Sequence, residues 1–281
     1  MLFVICNFAL RMDKLIFFSM GSGSSGNCYY IGTSRYGFLI DAGIGVRAIK
    51  KELKAKGIEL KDIWGIFVTH DHTDHIKSIG ALGEKAHIPV YLTQEMHKGI
   101  DRNYHVAERL TSCCRHYHKG DTITIRDFTF HSFPVSHDAT DCVGYTITYG
   151  DQCFVFATDL GYISKPVADQ IARANYLVIE ANYDEMMLKN GPYPYPLKER
   201  VRSATGHLCN DHTAHFLADN YHPGLTHVFL CHLSNENNTP ALAYKTVNDA
   251  LAAKGISLEV LHPLERTSTS QTFTFRPLRQ L

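Results

Sequence analysis

The sequence is short of several things, and each shortage closes a door. Lysine plus arginine equals aspartate plus glutamate at 28 each, so its 281 residues carry no net charge. A chain without cationic excess does not hold nucleic acid by bulk charge, although a local cationic site stays open. The eight cysteines contain no C-x-x-C pair, which argues against a zinc knuckle or a thioredoxin-type centre. Cys142, Cys153 and Cys231 sit in apolar runs and read as small buried hydrophobes. That pattern suits a reducing cytoplasm better than secretion. No apolar run reaches bilayer-spanning length. The opening "MLFVICNFALRMDKLIFF" is broken by Arg11, Asp13 and Lys14 and has neither a basic n-region nor a small-residue cleavage site. Residues 1–11 read as an N-terminal extension, with Met12 as an alternative start, and residues 12–281 as a single domain away from membranes. Tryptophan occurs once, whereas histidine occurs 17 times. Histidine is the commonest metal ligand, so a metal search comes first.

Strand-like runs such as "KLIFFSM", "GFLIDAG", "WGIFVTH", "QCFVFATD", "NYLVIEAN" and "HVFLCHL" recur along the chain. Helical stretches fall between some of them, at 46–56, 75–84, 165–174, 211–220 and 240–254. Hairpin-like pairs mix with strand–helix–strand crossovers in both halves, which predicts two mixed sheets with helices outside. "NGPYPYP" reads as an extended loop, because proline removes donors and fixes φ. Gly21, Gly23 and Gly26 have the G-x-G-x-x-G spacing of a dinucleotide loop, but "NCYYIGTSRYGFLID" follows them where a helix is required. The dinucleotide reading therefore fails. Ser24, Ser25 and Asn27 could still line an anion site, and a plain hairpin connection is the alternative.

"IFVTHDHTDH" ends an apolar strand in a turn that crowds His70, His72, Asp74 and His75 into six positions. Four ligand-capable side chains exceed what one open tetrahedral site uses, which suggests two metals. The pattern recurs where apolar β runs end at His137, Asp159 and His232. Open sheets place functional groups beyond the carboxyl ends of their strands, so separate strands can aim such residues at one crevice.

H-x-H-x-D-H, followed by a histidine, an aspartate and a histidine at strand ends, resembles the metallo-β-lactamase superfamily. "SGSSGNCYYIG", "VTHDHTDHIKSIGAL", "VSHDA", "VIEANYDE", "GHLCND" and "HLSNENN" are similar to its YycJ/WalJ/VicX group, hydrolases with nuclease activity. The resemblance implies an α/β protein of four αββα layers, with two mixed β-sheets packed face to face and helices on both outer faces. It implies two divalent ions, zinc or manganese with iron an option. His70, His72 and His137 would hold one, Asp74, His75 and His232 the other, with Asp159 bridging. Asp41, in "LIDAG", would fix the loop rather than touch metal. The expected reaction is that of a phosphodiesterase or exonuclease acting on DNA, by attack of a metal-bridging hydroxide on phosphorus. Asp74 would also orient that nucleophile. His207 is similar in part to the Gly-His of ribonuclease J and cleavage-factor relatives that contacts the scissile phosphate, and a helix-capping loop histidine at the surface is the alternative. Asp138, Ser234, Asn235 and Asn238 are candidates for substrate contact, with loop capping the alternative for the last three. Lys198, Arg200 and Arg202 form a short basic run that either meets a polynucleotide backbone or is a solvated helix face. A small-molecule hydrolase of the same fold (cyclic phosphodiester, thioester or lactone) is the second reading. A non-catalytic metal-containing nucleic-acid-binding protein is the third.

Overall fold

The computed structural model describes residues 13–276, so the expectation for residues 1–11 falls outside the described part. The first sheet holds β1 (Leu15–Gly21), β2 (Cys28–Gly32), β3 (Gly37–Ile40), β4 (Ile63–Phe67), β5 (Val90–Thr93) and β6 (Cys114–Tyr117). The second holds β7 (Thr122–Ile125), β8 (Phe128–Pro134), β9 (Val143–Tyr149), β10 (Gln152–Ala157), β11 (Tyr176–Glu180), β12 (His227–Cys231) and β13 (Val260–Pro263). A last strand, β14 (Phe273–Phe275), returns to pair with β1. The strand orders are β14-β1-β2-β3-β4-β5-β6 and β13-β12-β11-β10-β9-β8-β7. Each sheet is mixed in the same way. Pairing is antiparallel from β14 to β3 and parallel from β3 to β6. In the second sheet it is antiparallel from β7 to β10 and parallel from β10 to β13.

The helices are α1 (Val46–Ala55), α2 (Thr73–Ile76), α3 (Gln94–Ile100), α4 (Lys165–Ile171), α5 (Glu185–Asn190), α6 (Tyr195–Arg202), α7 (Asn210–Asp219) and α8 (Pro240–Ala253). Parallel strands between two layers must be apolar on both faces, and β10, β11 and β12 are. Phe154 and Phe229 turn inward onto Phe17 of the first sheet, at ring separations of 4.9 and 4.8 Å. Phe67 stacks on Phe130 across the same seam at 3.8 Å. Burying each such ring contributes about 1.5–3 kcal/mol. The alternate residues Val155, Leu177, Ile179, Val228 and Leu230 pack with Val167 of α4, Leu217 of α7 and Val247 of α8. On the other outer face, α1 buries Ile49 and Leu53, and Lys56 at its end lies over the Phe18 ring. The predicted two-sheet, four-layer architecture is what the chain adopts.

Local expectations fare unevenly. The glycine-rich stretch is a connection between antiparallel strands, with Gly21 opposite Cys28. The helix expected over 75–84 shortens to α2 plus a wide helical turn at Ala81–Lys85. Close packing steers the chain there, because a Cβ on Gly80 would lie 2.3 Å from Glu108 O. "NGPYPYP" is only partly a loop, since Pro194 and Pro196 open α6. Proline suits a first turn, whose N–H groups have no partner in the helix. Among the described residues all seven cysteines are free thiols, and no helix is long and apolar enough to cross a membrane.

Candidate metal centre

The site is built where parallel strands end. Beyond β4, Thr69 donates through its N–H and Oγ1 to Asp41, both at 2.8 Å. Asp41, fully buried just past β3, also accepts from His75 Nδ1 at 2.7 Å. These three bonds hold the His70–His75 turn from below. Gly43 lets the chain pass under α2, because a Cβ there would fall 1.6 Å from Asp74 O. His72 occupies the N-cap position of α2 without capping it. Its ring is thus free to join the cluster.

Three other imidazoles are anchored like His75. His70 Nδ1 lies 3.0 Å from Thr69 Oγ1, His137 Nδ1 2.9 Å from Gly206 O, and His232 Nδ1 3.1 Å from Glu180 Oε1. A ring fixed through Nδ1 presents Nε2, the arrangement by which outer partners orient metal-binding histidines. His72 is turned the other way, with Nε2 donating to Asp138 O (3.2 Å) and Nδ1 facing His137 Nε2 (3.2 Å). Asp159 lies in the middle. Its Oδ1 is 3.5 Å from His232 Nε2 and 3.7 Å from His137 Nε2, and its Oδ2 is 3.4 Å from His75 Nε2. Asp74 Oδ2 is 3.4 Å from His232 Nε2. Asp41, Asp159 and His232 all take left-handed backbone, with φ of 58°, 56° and 55°. Each stands just past the end of a parallel strand.

The electrostatics match this convergence. Burial, and then His75, push His70 well below the usual imidazole range. Burial alone would lower His75 too, but Asp159, Asp41 and Asp74 raise it to about 9. His232 rises likewise against burial, through Asp159, Asp74 and Glu180. Despite its burial, Asp159 is held well below the carboxylate range by His232, His75, His70 and His137. Asp159, and Asp74 through His75 and His232, are thus favoured against burial in the anionic form in which a carboxylate ligates a cation. His70 Nε2 is buried with no hydrogen-bond partner. That orphaned nitrogen, the inward-facing rings and the carboxylates between them fit divalent cations with nitrogen and oxygen ligands.

The other candidates are placed unequally. His207 joins the cluster, with Nδ1 on Glu180 Oε1 at 2.7 Å and its ring stacked 5.2 Å from His232. Asn27 reaches His75 Nε2 (2.9 Å) and Asp74 Oδ2 (3.3 Å), whereas Ser24 and Ser25 are exposed on the turn before it. Asp138 is gripped bidentately by Arg200, at 2.5 and 3.1 Å. Lys198 donates to Lys189 O, and Arg202 pairs with Glu185. The basic run is therefore engaged within the protein. Ser234 accepts from Asn237 N–H, Asn235 bonds Glu236 and Arg266, and Asn238 bonds Ala181 O, Asn182 O and Asn210. These three side chains bond within their own loop and its supports. His212 and His215 are exposed on α7.

Sequence reasoning missed Glu180. Fully buried, it accepts from both His207 and His232 and from the N–H groups of Leu160 (2.7 Å) and Leu208 (3.1 Å). The signal was available, since "YLVIE" is another apolar β run closing on an acid. Asn182, whose amide bonds His232 O at 2.7 Å, was missed beside it.

A two-sheet sandwich whose strand ends bring histidines and carboxylates to one crevice defines a class, the metal-dependent hydrolases of this fold. Residues 36–232 match the beta-lactamase superfamily domain, and the chain belongs to that superfamily. It is 35% identical over 245 residues to exodeoxyribonuclease YycJ of Bacillus anthracis, covering 87% of this chain and 92% of that protein. It is 32% identical over 262 residues to exodeoxyribonuclease WalJ of Streptococcus pneumoniae, covering 93% and 96%. Among solved structures it is similar in fold to the metallo-beta-lactamase fold protein YhfI of Bacillus subtilis (TM-score 0.68, 17% identity, 93% and 100% covered). The Zn(2+)-bound PqqB of Methylobacterium extorquens is comparable (TM-score 0.67, 15% identity, 91% and 99% covered).

Proposed function

We propose that this protein is a metal-dependent exodeoxyribonuclease, a cytoplasmic phosphodiesterase that acts on DNA with two divalent cations of the zinc or manganese class. The observation that carries this reading is the position of Asp159, within 3.4–3.7 Å of imidazoles from both halves of the cluster. His70, His72 and His137 would hold one cation, Asp74, His75 and His232 the other, with Asp159 between them. Cations bound there supply Lewis-acid charge to the phosphoryl oxygens and acidify water. The curated relatives named exodeoxyribonuclease, matched over nearly their whole length, support DNA as the substrate.

The chain's own groups then have distinct tasks. Asp74, fixed by Asn27 and His232, orients the attacking water. Glu180 accepts the Nδ1–H of His207, which leaves Nε2 on the far edge of a ring that is 17% exposed. Nε2 donates the proton that the leaving 3′ or 5′ oxygen needs. Asp138, neutralised by Arg200, screens the His72–His137 side. The test is to incubate protein reconstituted with Zn²⁺ or Mn²⁺ with end-labelled single- and double-stranded DNA and RNA, a generic phosphodiester and a thioester. Stepwise shortening of DNA is expected. Turnover of the thioester alone would overturn the proposal in favour of a small-molecule hydrolase.

A further inference from the structure

A second group of ligand-capable side chains lies at the outer edge of the first sheet, and the proposed reaction does not use it. Residues two apart on a strand share a face. In β6, Tyr117 is buried against Tyr145 across the sandwich, so Cys114 and His116 share the side crossed by α3. His97 of α3 meets them there. Its Nδ1 is 2.9 Å from His116 Nε2, and Cys114 Sγ is 3.8 Å from its other nitrogen, Nε2, so the sulfur would turn toward the Nδ1 side to share an ion with the two rings. One ring nitrogen of each histidine and the sulfur all lie within 4.8 Å of one another.

We propose that His97, Cys114 and His116 form a separate binding site for one soft divalent cation of the zinc class. The donor set, one sulfur and two imidazoles, is what such ions select, and the His/Asp cluster offers no sulfur. With bonds of about 2.0–2.1 Å to nitrogen and 2.3 Å to sulfur, a tetrahedral ion separates its ligand atoms by roughly 3.3–3.6 Å. The two imidazoles need to part by only about half an ångström. His97 is already set for this. Its Nε2 lies 3.2 Å from Leu110 O. A carbonyl only accepts, so Nε2 carries the hydrogen and Nδ1, facing His116, keeps its lone pair. Asp101 Oδ1 lies 3.9 Å from the other His97 nitrogen, Nε2, and pairs with Arg109 at 3.3 Å, so the fourth position would fall to water. Binding would release the thiol proton of Cys114 to solvent and move the His116 ring hydrogen from Nε2, where it now meets the His97 lone pair, to Nδ1.

Such an ion would brace the main centre without touching it. It would tie α3 to the edge strand, and α3 supports the ligand turn. A Cβ on Gly99 would lie 1.8 Å from Asp71 Oδ2, and Asn103 donates to Thr73 Oγ1 (3.1 Å) and Asp71 O (3.4 Å). Titration of metal-free protein with Co²⁺ tests the site by spectroscopy. A thiolate-to-cobalt charge-transfer band in the near ultraviolet is expected, beside the weaker visible bands of the sulfur-free cluster. Cys114→Ser should abolish the band, Cys113→Ser should keep it, and His116→Ala, on the exposed edge, should lower cobalt stoichiometry by one per chain. Absence of the band at saturating Co²⁺, or its survival in Cys114→Ser, overturns the proposal. DNA hydrolysis, measured separately, reports on the other centre and can succeed or fail independently.

Discussion

The two halves of the molecule supply the centre in opposite ways. The first sheet delivers His70, His72, Asp74 and His75 from a single turn, with Asp41 beneath. The second delivers His137, Asp159, Glu180 and His232 one at a time, from the ends of four different strands. Yet each half sets one fully buried carboxylate under the imidazoles, Asp41 on His75 and Glu180 on His207 and His232. The lesson lies in the load on these two pillars. Asp41 holds one ring and one residue of the turn. Glu180 holds two rings and two backbone N–H groups, so the second half is the less tolerant of change.

Substitutions can break or sharpen that contrast. The largest effect belongs to Asp159→Ala, which removes the carboxylate both halves share. Hydrolysis should fall to background and bound metal below the wild-type amount, as read by elemental analysis. Full activity in that variant would show that the halves do not meet at Asp159. Next comes His207→Ala, expected to lower kcat by about 10²–10⁴-fold with metal content unchanged. A parallel loss of metal would recast His207 as a ligand. Glu180→Gln should cost about 100-fold in metal affinity or activity, the upper end for an outer partner. It should also cost stability, because an amide cannot satisfy every donor that Glu180 accepts (about 1–3 kcal/mol for a group left unpaired). Asp41→Asn belongs at the lower end, about tenfold. Equal losses in these two variants would contradict the unequal pillars. Arg200→Ala should do least. Its exposed pair with Asp138 contributes about 0–1 kcal/mol, so a rate change beyond about fivefold in DNA turnover would mean that Arg200 meets the substrate directly.

The same contrast explains what the sequence disclosed. The His70–His75 turn is local, so its crowding is visible without any knowledge of packing. His137, Asp159 and His232 are visible because each closes an apolar β run. Glu180 closes one too, but its role depends on His207 and His232, which lie 27 and 52 residues further along. Only the fold brings them over it. β6 and β14 escaped because they are short edge strands of mixed polarity, paired on one side only. α3, α5 and α6 are single- or two-turn helices whose stability comes from tertiary contact rather than from propensity. Arg200 looked like a solvated or phosphate-facing cation because nothing in its neighbourhood in the chain announces Asp138, 62 residues away.

The left-handed backbone at Asp159 and His232 carries an evolutionary consequence. A side chain in that conformation costs roughly 1–2 kcal/mol that glycine does not. That cost is small beside what the two side chains hold: a glycine at either position would leave a buried hole and strand the opposite charges around it. A library of variants sorted only for heat resistance should therefore keep Asp159 and His232.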